Sequence, residues 1–281
     1  MQLTETDIES VAEVLRLAFK AERDYDSILR QHLFLQPDGA LVAKVDDRII
    51  GFGAATIYGP FSYIALMGTR PDVQRQGVAR RVLDNLTEWI RVRGCRTILL
   101  DASAAGQHLY EVSGFEAIDT TVVFKRERDA GTVPDTQYGR ESSSDITDLL
   151  AVTSFDSPIF GADRGRYLEY LRRDLPGRFF VSHDHEGRVD GYLVAQRTQT
   201  LGPWLASNVE TAEKLLSQSL NVVRFETHPE VLVSGSNVAA IKILEGFGFK
   251  EQRRLKHMRM GENVKRERAT KIYGQASLGL G

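Results

Sequence analysis

The segment from Met67 to Arg80, MGTRPDVQRQGVAR, has the clearest capacity for chemistry in this sequence. An apolar run ends there in a tight turn, and the turn opens a helix. Within Gln74-x-x-Gly77-x-Ala79, small residues occupy positions where a backbone must come close to a ligand, and Gly77 has no Cβ to hold the ligand off. The first N–H groups of a helix have no acceptor inside it, and its N-terminus carries roughly half a positive charge. An anion such as a pyrophosphate suits that place, and Arg75, Arg80 and Arg81 add fixed charge beside it. No Gly-Lys-Ser/Thr follows, so this is not a Walker A loop. Only one of the three glycines of a dinucleotide fingerprint is present.

Farther along stand Leu100-Asp101-Ala102-Ser103 and then Leu109-Tyr110-Glu111-x-x-Gly114-Phe115. Together with the Gln74–Ala79 turn, these segments resemble the GNAT superfamily of acyl-CoA-dependent N-acetyltransferases. The resemblance covers about residues 1–126, with the motifs in the family's order and spacing. It implies a mixed α/β fold, a mostly antiparallel, centrally splayed sheet flanked by helices. It implies acetyl-CoA as co-substrate. Backbone atoms of Met67, Gly68 and Thr69 are expected to pair with the pantetheine arm as if it were another strand. The N–H groups of Arg75, Gln76, Gly77, Val78, Ala79 and Arg80 are expected to hold the pyrophosphate. Ser103 falls where many members have Asn and is a further cofactor contact. Tyr110 matches the family's general acid.

The chemistry fits that role for Tyr110. An amine attacks a thioester carbonyl, an oxyanion forms, and coenzyme A leaves as a thiolate that a nearby phenol can protonate. Such general acid catalysis contributes about 10²–10⁴ in rate. The competing reading of Tyr110 is a core aromatic beside Phe115. No motif marks a base; Asp101 is a candidate, as is a water relay, and Asp101 otherwise simply ends a strand.

These residues need elements to hold them. Thr6-Asp7-Ile8-Glu9 reads as a capping box, followed by a helix with Ile8, Val11, Leu15 and Ala18 on one face. A second helix is expected over 25–35. Strands are expected over 40–45, 48–57 and 62–69, with turns at Asp46-Asp47 and Tyr58-Gly59-Pro60. Val82, Leu83, Leu86, Trp89 and Ile90 form a helical stripe that closes at Gly94. A buried strand over 97–100, a short helix over 106–112 and a strand over 121–125 complete the first domain, 1–126. The polar stretch 127–145, with its Ser142-Ser143-Ser144 run, reads as a linker, and a new helix starts at Ile146.

Residues 146–281 repeat this pattern in weaker form. A hairpin over 178–196 copies the first one, and Leu244-Glu245-Gly246-Phe247-Gly248-Phe249 echoes Tyr110–Phe115. The second half resembles the degenerate domain of tandem family members. Where a pyrophosphate turn is needed it reads Leu201–Ala212, with Glu210 set to repel phosphate and Ser207 or Asn208 placed as a plain N-cap. Leu244 replaces the tyrosine, and Asn237 matches Ser103. This copy is not expected to bind coenzyme A productively.

Composition narrows the class. At 281 residues, with 42% hydrophobic and 26% charged residues, the chain has the length of about two domains and ample core. A formal net charge of −2 argues against a nucleic-acid coat or polybasic membrane binder. A lone Cys95 excludes an internal disulfide and a cysteine-rich zinc module. No apolar run nears the ~20 residues of a membrane span, and the N-terminus does not read as a signal peptide. His183-x-His185 reads as a solvated turn and 265–271 as a solvated basic face, and no metal is expected. The sequence thus points to a cytoplasmic N-acetyltransferase acting on a primary amine of a small molecule. A non-catalytic acyl-CoA sensor and a GNAT-fold interaction protein are the alternatives. Oligomeric state is not legible.

Overall fold

The computed structural model describes residues 1–127 and 149–281; the expected linker lies outside the described residues except for Glu127. The chain forms α1 (Ile8–Phe19), α2 (Tyr25–Leu35), β1 (Ala40–Val45), β2 (Arg48–Ile57), β3 (Ser62–Thr69), α3 (Val78–Val92), β4 (Ile98–Ala102), α4 (Gln107–Glu111) and β5 (Glu116–Arg126). The second half forms α5 (Leu149–Phe160), α6 (Gly165–Asp174), β6 (Phe179–His183), β7 (Val189–Ala195), β8 (Leu201–Ala206), α7 (Val209–Val222), β9 (Glu230–Ser234), α8 (Val238–Gly246), β10 (Phe249–Met260) and β11 (Ile272–Gly274). The fold is mixed α/β, with helices flanking mostly antiparallel sheets.

One detail of the first helix differs from expectation. The capping pair is Thr4 and Asp7, with the Thr4 N–H donating to the Asp7 carboxylate at 3.1 Å, and a 3₁₀ turn over Glu5–Asp7 precedes α1. Asp7 is fixed there by Lys44 of β1 at 2.8 Å. That tertiary ion pair selects it over Glu9, which lies exposed.

The sheets cross the two halves. One runs β1-β2-β3-β4-β10-β5-β9 and the other β11-β8-β7-β6. In the large sheet only β3–β4 is parallel. The strand after α4, β5, leaves its own half and pairs with β9. The strand after α8, β10, does the reverse and lies between β4 and β5. The exchange is sealed by packing. Val122 and Phe124 of β5 join the carboxy-terminal core around Trp204 and Leu216. Met258 of β10 is buried in the amino-terminal core with Leu86, Leu100 and Tyr110. Burying such a side chain contributes roughly 1.5–3 kcal/mol, so each half draws stability from the other's strand.

α7 has the cap its sequence promised. The Asn208 side chain accepts the Thr211 N–H at 2.9 Å, satisfying one of the helix's orphan donors. Asn208→Ala is expected to cost about 1 kcal/mol, read as a lower urea midpoint at unchanged m-value.

Candidate active site

The splay between β3 and β4 organises the site. These strands pair only at Ser62–Ile98 and Tyr63–Leu99, then part. A bulge helps turn β3 away. Its register against β2 slips between Phe52 and Ala54, and Leu66 takes φ 54°, a bend that re-aims the strand beyond it. Past the bulge, the Arg70 N–H donates to the Ile50 carbonyl. Ladder alternation therefore turns Gly68 toward β2 and leaves the N–H and C=O of Thr69 on the open edge. The Gln74 amide reaches the Thr69 carbonyl there at 3.3 Å. Thr69 Oγ1 is buried with no hydrogen-bond partner among the described residues. Met67 is half-buried, and Gly68 lies beneath Leu15 of α1.

The turn before α3 has the geometry of an anion cradle. Arg75 and Gly77 take φ 62° and 84°, Gly77 is the N-cap of α3, and a Cβ built on Gly77 would meet nothing within 4 Å. The first acceptor used by the helix is the Gly77 carbonyl, which takes the Arg81 N–H at 3.0 Å. Among the described residues the N–H groups of Arg75, Gln76, Gly77, Val78, Ala79 and Arg80 have no acceptor. These donors, at the positive end of a helix, fit a diphosphate. Arg80 pairs with Asp84 at 2.9 Å on the exposed surface, a weak pair. The guanidinium groups of Arg75 and Arg81 also lie exposed nearby.

Tyr110, on α4, lies at the other side of the splay. It is buried, edge-on to Phe115 with ring centroids 5.8 Å apart. Among the described residues its hydroxyl makes no hydrogen bond. Burial pushes its pKa up to about 12, so at neutral pH the phenol keeps its proton and can only give it away. Ser103 follows β4 and is exposed; its carbonyl accepts the Gly106 and Gln107 N–H groups that start α4.

Asp101 does not end β4, which continues to Ala102. It anchors a buried polar network instead. Its carboxylate accepts from Thr121 Oγ1 at 2.5 Å, His257 Nδ1 at 2.9 Å and Gln275 Nε2 at 3.4 Å. Burial pushes the Asp101 carboxyl up, but the His257 ring, the nearby Arg268 guanidinium and the Thr121 hydroxyl outweigh it and hold the group below its ordinary range. The basic stretch 265–271 is not a wholly solvated face, because two of its arginines turn inward. Arg266 donates to the Tyr63 hydroxyl at 3.0 Å and the Phe160 carbonyl at 3.0 Å, and Arg268 donates to Thr121 Oγ1 at 3.2 Å. Sequence reasoning missed His257, Arg266 and Arg268. The only signal for His257 was a histidine inside a strand otherwise rich in charged and apolar residues.

The second copy has no such opening. β11 lies in the gap between β8 and β9. It pairs with β8, and the Gln275 N–H beside it donates to the Leu232 carbonyl of β9 at 2.7 Å. Gly202 of β8 has room only for hydrogen, since a Cβ there would fall 2.0 Å from the Gln275 carbonyl. The chain's own strand thus occupies the position that stays open in the first copy. Asn237 is buried as the N-cap of α8, and Leu244 is core.

A sheet forked beside a helix N-terminus, with an unused row of amide donors, is the frame the family comparison bears on. Residues 8–115 match the model of the acetyltransferase (GNAT) family, and residues 152–274 match that of an acetyltransferase (GNAT) domain. The chain belongs to the GNAT acetyltransferase family and carries two such domains in tandem. A structure from Pyrococcus horikoshii, assigned as an acetyltransferase, is 26% identical, with a TM-score of 0.86 over 100% of this chain and 95% of that one. A GCN5-related N-acetyltransferase from Sphaerobacter thermophilus shares the fold at 15% identity, with a TM-score of 0.70 over 94% of this chain and 96% of that one. No curated protein matches the chain. Among the described residues no helix is long and apolar enough to cross a membrane, and no group of three or more His, Cys, Asp or Glu could hold a metal ion.

Proposed function

We propose that this acyltransferase moves an acetyl or short acyl group from acetyl-CoA directly to a primary amine of a small molecule, with the donor bound by the first domain, 1–126. The observation that carries this reading is the run of unpaired backbone donors at Arg75–Arg80, present in the first copy while the second copy's gap is filled by β11. Bound acetyl-CoA supplies an activated thioester carbonyl. The N–H groups from Arg75 to Arg80 hold its diphosphate, and the free edge of β3 at Met67 and Thr69 aligns the pantetheine arm. Gly68 serves by letting α1 close on the strand, and Ser103 borders the cofactor channel at the start of α4. Tyr110 gives its proton to the departing sulfur. A small acceptor is favoured because the face of β3 and β4 opposite α3 is covered by side chains of the second half, including Phe160, Arg266 and His257.

Acetyl-CoA at a hundred times its dissociation constant is expected to stabilise the protein by about 2.7 kcal/mol, read as a raised melting temperature. Gly77→Glu is expected to abolish that shift by filling the cradle with a bulky negative group. Gly77→Asn, which tolerates a positive φ, should retain most of it. A full shift in the Glu variant overturns the cradle. Coenzyme A release across an amine panel identifies the acceptor. Donor binding with no release from any amine favours a sensor.

A further inference from the structure

β10 brings against β4, on the edge away from the splay, a side chain that the first half does not itself encode. His257 stands opposite Asp101 in the β4–β10 register. The two side chains are 1% and 0% exposed, with Nδ1 2.9 Å from the carboxylate. Leu100 and Ala102 share the α3–α4 side of β4 with Tyr110; strand alternation puts Asp101 on the other side. Asp101 lies two residues past the last β3–β4 pair, Tyr63–Leu99, where the gap has just opened. Tyr110 and Asp101 therefore border the fork from opposite faces of the sheet, and His257 backs Asp101 from the next strand. The same face holds buried donors without partners among the described residues, Arg266 Nη2 and Arg268 Nε, with Arg268 8% exposed.

We propose that His257 is the base that takes the proton of the acceptor amine, and that Asp101 is its positioning residue. This rests on the acetyltransferase reading above. An ionised carboxylate only accepts hydrogen bonds, so the ring proton sits on Nδ1 and Nε2 presents a lone pair. Among the described residues nothing donates to Nε2. The acceptor's ammonium first gives one proton to Nε2; the free amine nitrogen then attacks the thioester carbon, the C–N bond forms, and the nitrogen's surplus proton leaves to water. The C–S bond then breaks, its electron pair goes to sulfur, and sulfur takes the Tyr110 proton. The imidazolium loses its proton to water and the phenolate regains one from water, which closes the cycle. The charged and titratable groups around His257 are Asp101 on β4, Asp119 opposite it on β5, Tyr63 on β3, and Arg266 and Arg268 on the segment after β10. Burial and the two guanidinium groups oppose the imidazolium, and Asp101 offsets them only in part.

His257→Asn tests this in the full chain, because its side-chain amide keeps a donor toward Asp101 and lacks Nε2. Coenzyme A release from acetyl-CoA is followed with ethanolamine, protonated at neutral pH, and with hydroxylamine, which is not. The expected result is about a 100-fold loss of kcat with ethanolamine, under tenfold with hydroxylamine, and an unchanged thermal shift with acetyl-CoA. Wild-type release by the variant with both amines overturns the inference, as does an equal loss with both. Nitrogen NMR of the wild-type His257 ring at pH 7 gives a readout independent of variant folding and of turnover. A proton on Nδ1 with bare Nε2 is expected, and a proton on Nε2 overturns the inference. A wild type that shows no thermal shift with acetyl-CoA, or no release with either amine, counts instead against the function proposed above.

Discussion

Tyr110→Phe is expected to lower kcat by 10²–10⁴, about 3–5 kcal/mol of transition-state stabilisation, while the thermal shift with acetyl-CoA stays at its wild-type size. The ring packs edge-on to Phe115, and phenylalanine keeps that contact. The lost hydroxyl has no hydrogen bond among the described residues, so folding pays little for its removal. Single-turnover release of coenzyme A is the measurement, since it isolates the chemical step from product release. With its pKa raised to about 12 by burial, the phenol stays protonated until pH approaches that value. The wild-type rate should therefore show no alkaline decline from Tyr110 across the neutral range. A Phe variant that turns over at the wild-type rate reduces Tyr110 to a core aromatic.

Acidification is expected to destabilise the protein between pH 6.5 and 4, before its carboxylates protonate in bulk. His32, on α2, and His257 are both buried, and burial lowers each pKa from 6.5 to about 4; Arg268 adds to the effect at His257. The sign follows from proton counting. Below pH 6.5 the unfolded chain binds protons that the folded chain refuses, so stability falls as pH falls. The loss ends once the folded-state values near 4 are passed. Each histidine contributes about 3 kcal/mol across that window, and the pair is comparable with the 5–15 kcal/mol of a typical fold. Asp101, shifted below 3.8, adds a further loss only at lower pH. Urea midpoints at pH 7, 6 and 5 measure the effect. A flat series refutes it, and His32→Asn should make the series shallower.

The local pattern of this chain was legible because its periods are clean. The alternation in 40–57 and the stripe Val82–Ile90 each name one element, and the structure forms β1, β2 and α3 there. The turn at Gly77 was legible because glycine takes a φ of 84° without strain. Partner choice between strands was not. β10 alternates no differently for pairing with β4 than it would for pairing with β9, and its place is decided by side chains far away, such as Met258 among Leu86 and Tyr110. The same blindness hid the buried polar face around Asp101. Arg266 and Arg268 read as surface residues because charge normally seeks water. Only the fold reveals that the Tyr63 and Thr121 hydroxyls await them. The capping pair was misplaced by two residues for a similar reason, since Lys44 chooses Asp7 from outside the helix.

The traded strands also set a timetable for biosynthesis. β4 reaches the mouth of the ribosome with its apolar Ile98-Leu99-Leu100 edge unpaired, and its lasting neighbour is not translated until Phe249–Met260. At ~5–20 residues per second, that edge waits on the order of ten seconds, open to any nascent chain nearby. Completion of the amino-terminal sheet therefore waits until translation is nearly over. A ribosome stalled before codon 249 leaves a polypeptide that contains the Arg75–Arg80 turn and Tyr110 and still lacks the strand that completes its sheet.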